Sequence, residues 1–285
     1  MISVFSIADT NSVVVTIAPL HSMTSAVLKE SRYHAELLLN TGASPHDFQL
    51  KPSQRRQLEQ ADLIVWAGPN LESSLVRIMS QKQDKVFGLQ EYGSALTIFP
   101  FRVNHEFEAD HEHNGSDPHF WLSPENAIGF VNALADRMAR LDPDERELFL
   151  NNARQFATRM QDKARVWKQQ LAPYHEVPFI VLHDGFQYMD HFFDLNFVAA
   201  ISVNPQLAPG LKTIHRINDL VASQQIRCVF AEPQYSQAPI RHFIEQQHLG
   251  FYTLDAIGYQ IEPGPELIWQ LMEQNVQHLT SCFSG

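Results

Sequence analysis

The feature that most limits the fold is a helical repeat near the middle of the chain. Phe149, Ala153, Phe156, Met160, Ala164, Trp167 and Leu171 recur at three- and four-residue steps, the period of a helix with one buried stripe. Asp142 suits an N-cap, Pro143 the first helical position, and Glu145 the acidic place of a capping box. The pattern stops at Pro173, so the helix spans roughly 45 Å at the standard rise. A rod of that length can join two bodies, and it resists the wide hinging that Gly or Ser linkers permit.

Short β-branched runs alternate with helical patterns on both sides of the rod. Strands are expected at 13–17, 36–39, 62–66 and 85–89 before it, and at 179–182, 197–201, 228–231 and 251–254 after it. Strands separated by helices pair in parallel. The expected fold is therefore α/β, with two lobes of about four mainly parallel strands each. The expected division is 1–141 for the first lobe, 142–173 for the linking helix and 174–285 for the second lobe.

Charge narrows the partners. With neutral histidines the net charge is −11, which argues against nucleic acid or anionic lipid. No stretch of about 18 apolar residues offers a membrane span. Residues 1–9 lack a basic n-region and carry only a short apolar stretch, so they do not read as an intact secretory signal. The chain is cytosolic, or it is a mature form whose signal has been removed. No cysteine near the start offers a lipid anchor.

Ligands of open α/β sheets sit at the carboxyl ends of the strands, and four candidate metal ligands fall there. His46 follows the second expected strand, His183 directly follows the fifth, and Asp255 directly follows the eighth. His119 precedes a helix that Ser123 and Pro124 would cap. A cleft between the lobes could gather all four. Neutral imidazoles suit zinc, and three of them leave a fourth position for water or a carboxylate. A single histidine at a strand end is more often a structural hydrogen-bonding residue, and no closely spaced ligand pair strengthens the pattern. Cys228 and Cys282 are either two unrelated buried thiols or a disulfide closing a 54-residue loop.

Longer motifs sharpen this reading. Gly42-Ala43-Ser44-Pro45-His46-Asp47-Phe48, Pro52-Ser53 and Ala61-Asp62-Leu63-Ile64-Val65 resemble the metal-binding substrate proteins of bacterial ABC importers. So do Asp117-Pro118-His119-Phe120-Trp121-Leu122-Ser123-Pro124, His183-Asp184-Gly185-Phe186 and Phe230-Ala231-Glu232-Pro233-Gln234. The chain is most similar to the periplasmic zinc-binding branch, the ZnuA-like group, and the motifs run in family order from about Val13 to Cys282.

That resemblance implies a two-lobed periplasmic protein, not an enzyme, that binds one Zn2+ and delivers it to an ABC-type permease as a monomer. His46, His119 and His183 match the family's zinc-binding histidines. Asp255 matches the carboxylate that binds metal in manganese-type relatives, which carry glutamate in place of His183. Cysteines at the positions of Cys228 and Cys282 form a disulfide in the zinc branch. Two departures stand out. Pro45 occupies a position where several zinc-branch members have glutamate, and the acidic histidine-rich stretch 105–113 is short. Its His105, His111 and His113 suit either a solvated acidic turn or a weak secondary metal-collecting surface.

Rival readings remain. Three histidines and a water also describe a catalytic zinc of a hydrolase or lyase, although no H-E-x-x-H or G-x-S-x-G motif accompanies them. Manganese- or iron-binding relatives, and a metal-dependent adhesin, are the other readings.

Overall fold

The computed structural model describes residues 11–40, 44–46, 48–102, 115–202, 210–236 and 238–285. The N-terminal lobe contains β1 (Ser12–Val15), α1 (Ala18–Val27), β2 (His34–Leu37), α2 (Pro52–Gln60), β3 (Leu63–Val65), α3 (Val76–Met79), β4 (Val86–Phe87), α4 (Leu89–Tyr92) and α5 (Pro124–Leu141). The long helix is α6 (Arg146–Leu171). The C-terminal lobe follows with β5 (Phe179–His183), α7 (Gln187–Phe193), β6 (Phe197–Ser202), α8 (Leu211–Gln224), β7 (Cys228–Ala231), α9 (Ala238–Gln246), β8 (Gly250–Thr253) and α10 (Leu267–Phe283).

Both sheets are wholly parallel and share one order, β2-β1-β3-β4 and β6-β5-β7-β8. Helices on both faces explain why Val13, Val14 and Val15 are all buried: a parallel strand covered on both sides reads as a continuous apolar run. β2 departs from its expected place by two residues. It lies at the sheet edge and is only half-buried, so polar His34 and Glu36 can belong to it, bonded to each other at 3.0 Å.

The linking helix buries the stripe that its sequence announced, from Phe149 through Trp167 to Leu171. Its start differs from the expected capping box. Asp142 caps a short 3-10 turn, Pro143–Glu145, by accepting from the Asp144 N–H. Glu145 turns away to accept from the backbone N–H of Arg32, while Arg32 also pairs with buried Asp142. Ser123 caps α5 as expected, accepting from the Asn126 N–H at 3.3 Å. A disulfide joins Cys228, at the start of β7, to Cys282 near the end of α10. No described helix is long and apolar enough to cross a membrane.

Candidate metal centre between the lobes

His183 is the last residue of β5, so the strand carries its imidazole to the carboxyl edge of the C-terminal sheet. His119 stands just before a 3-10 turn, Phe120–Leu122, that leads into α5. His46 lies in the turn after β2. The three rings form a nearly equilateral triangle, with centroids 5.7 Å apart for His46 and His119, 5.7 Å for His46 and His183, and 5.8 Å for His119 and His183. Rings sharing one tetrahedral zinc through their nitrogens would stand roughly 5.2 Å apart, given metal–nitrogen bonds of about 2 Å. The triangle is about half an ångström wider than that. Consistently, no three described His, Cys, Asp or Glu side chains are drawn together tightly enough to hold a metal as they stand.

Two of the rings are held by carboxylates. Asp117 Oδ1 lies 2.8 Å from His119 Nδ1 and also accepts from the His119 backbone N–H at 2.9 Å. Glu232 Oε2, just past β7, lies 3.2 Å from His183 Nδ1. Each contact engages Nδ1, the arrangement that in metal sites orients a histidine and keeps Nε2 for the ion. Gly185 permits the close packing: a methyl there would meet His183 Nδ1 at 3.3 Å and His119 Cε1 at 3.6 Å. Trp121 packs on His119 and donates from Nε1 to the Ala256 carbonyl at 2.6 Å, across the lobes.

The environments of His46 and His183 differ in sign. Burial lowers the His46 pKa to about 3, helped by the neighbouring His119 and His183. Burial also works against a charge on His183, but Glu232, with Asp184 and Asp117, outweighs it and the His183 pKa is raised. Tyr235 packs edge-on to His183 at 6.2 Å, and burial pushes its hydroxyl up to about 12.

The fourth sequence candidate is differently engaged. Asp255 is buried, and its Oδ1 accepts from the N–H groups of Ile257 and Gly258 while Oδ2 accepts from that of Tyr259. Its carboxylate ties a turn together. His105, His111 and His113 lie outside the described residues. His21 bonds the Ala35 carbonyl at 3.2 Å and serves the N-terminal lobe. His215 and His242 are exposed on α8 and α9. Spacing alone did not show the orienting role of Asp117, although an acid two residues before a candidate ligand is a usable signal.

Two parallel α/β lobes joined by one long helix, with three histidines brought together at their strand ends, form a two-lobed binding protein in its architecture. The profile described as "Zinc-uptake complex component A periplasmic" matches residues 13–282, and the chain belongs to that family, ZnuA. It is 30% identical to the high-affinity zinc uptake system protein ZnuA of Brucella suis, over 97% of this chain and 92% of the relative. Among solved structures, one titled "Crystal structure of ZnuA" superposes with a TM-score of 0.76 at 21% identity, covering 94% of this chain and 98% of the other. The laminin-binding protein of Streptococcus agalactiae, titled bifunctional with adhesin and metal-transporting activity, superposes at 0.80 with 21% identity, over 95% and 99% of the two chains. Proteins of the family are binding components of zinc uptake rather than enzymes.

Proposed function

We propose that the chain captures one zinc ion between its lobes through His46, His119 and His183 and delivers it to the ABC-type permease of a periplasmic zinc importer. The observation that carries this is the triangle of rings, two of them held by carboxylates at Nδ1. A contraction of about half an ångström per side closes it around a tetrahedral ion. Family membership supports zinc as the cargo. Water fills the fourth position in this reading, because the Asp255 oxygens already serve three backbone donors. The hydrolase reading gains no general base from the described site, and the adhesin reading rests on likeness of fold alone.

Calorimetric titration of metal-free protein tests the assignment. One tight zinc is expected per chain, lost in His46→Ala, in His119→Ala and in His183→Ala. Asp255→Asn should retain it. Replacing His105, His111 and His113 together should remove only weaker equivalents. Loss of the tight equivalent in that triple variant would move the primary site elsewhere.

A further inference from the structure

Arg102 makes three contacts that the zinc reading leaves unused. Its Nη1 lies 3.0 Å from Asp184 Oδ1, its Nη2 lies 2.7 Å from Asp190 Oδ2, and its guanidinium carbon sits 3.8 Å over the Phe197 ring. Asp184 directly follows His183, Asp190 is buried on α7, and Phe197 opens β6. All three partners belong to the C-terminal lobe. Arg102 itself belongs to the other side of the cleft. Residues 99–101 run antiparallel to 115–117, with a bridge between Pro100 and Ser116 and a bond from the Asp117 N–H to the Phe99 carbonyl at 2.9 Å. Asp117 is the carboxylate that holds His119.

A chain of contacts therefore runs from His119 through Asp117 and the paired backbone to Arg102, and on through Asp184 to His183. Tyr188 of α7 reinforces the same seam, donating to the Asp117 carbonyl at 2.8 Å and accepting from the Phe99 N–H at 3.2 Å. A planar guanidinium that binds two carboxylates and stacks on a ring has its position fixed in three directions, which an ammonium cannot match.

We propose that Arg102 is a positioning residue for zinc, a cross-lobe clamp on Asp184 and Asp190 that sets the separation of His119 and His183 and slows release of the ion. The inference rests on the three-histidine reading. If the clamp sets ligand geometry, weakening it should act on the bound ion and not only on the fold.

The test compares full-length wild type, Arg102→Lys, Arg102→Gln and His119→Ala. Zinc dissociation is measured into excess chelator, the visible spectrum is recorded with Co2+ as probe, and melting of the metal-free proteins serves as control. Zinc should leave Arg102→Gln about tenfold faster or more, as for outer-shell partners of other metal sites. The Co2+ bands should shift, and Arg102→Lys should fall between. Wild-type dissociation and a wild-type Co2+ spectrum in folded Arg102→Gln would overturn the clamp, whatever its melting temperature. Should that variant not fold, Arg102→Lys decides by the same two readouts. Tight zinc retained by His119→Ala would instead overturn the three-histidine reading, and the clamp with it.

Discussion

Glu232 Oε2 lies 3.2 Å from His183 Nδ1, with the carboxylate buried beyond the end of β7 and the imidazole at the end of β5. One strand carries the proposed ligand, and the residue just past its hydrogen-bonded neighbour in the sheet carries the group that would aim it. Glu232→Gln keeps an acceptor in place but removes the charge. We expect its zinc affinity to fall about tenfold, with Glu232→Ala falling further. Competition titration against a chelator of known affinity measures both, and equal affinity in all three proteins would remove Glu232 from the site.

The same contact sharpens a prediction about metal choice. Raw affinity would favour copper at most nitrogen sites, so ligand type and geometry must set the preference among available metals. His183→Glu adds a hard oxygen ligand, and it also sets a second carboxylate against Glu232. Zinc affinity should fall and the zinc-over-manganese ratio should narrow. His183→Ala should weaken both metals. Titrations with each metal, with circular dichroism as a fold control, decide it; unchanged zinc binding in both variants would break the three-histidine model.

Much of the scaffold was legible because its signals are local. The stripe from Phe149 to Leu171 and the apolar runs at β1, β3, β5 and β7 are buried where periodicity places them. β2 was displaced because an edge strand need not be apolar: polar His34 starts it, and Leu38 and Leu39 follow it as buried residues. Glu145 was misread for a similar reason. Its sequence position fits a capping box, but a partner over 100 residues away, the Arg32 N–H, holds its carboxylate. Positions at strand ends made His46, His119 and His183 candidates, but only the resemblance singled them out, since nothing in the spacing of residues 46, 119 and 183 says that segments from two lobes meet. Arg102 gave no signal, because its partners lie in the other lobe.

The disulfide gives a stability prediction. Cys228 and Cys282 close a loop with a sequence separation of 54, worth about 4 kcal/mol in the chain-entropy model. Cys228→Ser/Cys282→Ser should lose stability of that order in urea unfolding while still binding one zinc, since neither cysteine is among the residues placed at the metal centre. A loss well under 1 kcal/mol would mean that the unfolded chain is already restricted there.

Glu72 predicts how stability depends on pH. It is fully buried after β3, and its Oε2 accepts from the Ala67 and Gly68 N–H groups at 2.9 and 3.3 Å. Oε1 makes no hydrogen bond of good geometry among the described residues, although of the neighbours that favour the charged form Thr16 contributes most, ahead of the Gly68 and Ala67 N–H groups. Burial dominates these hydrogen bonds and raises the Glu72 pKa from 4.5 to about 7. The folded state therefore holds a proton that the unfolded chain releases at lower pH. The contribution is fully present below about pH 4.5, declines as pH rises, and is lost above about pH 7, a total of about 3 kcal/mol. Glu72→Gln imitates the protonated acid and cannot ionise. Histidines titrate in the same window, so the informative quantity is the stability of Glu72→Gln minus that of wild type, from urea unfolding of metal-free protein between pH 5 and 8. That difference should grow in favour of the variant as pH rises. A difference that stays constant across the window would show that Glu72 is ionised throughout it and that burial does not govern its charge.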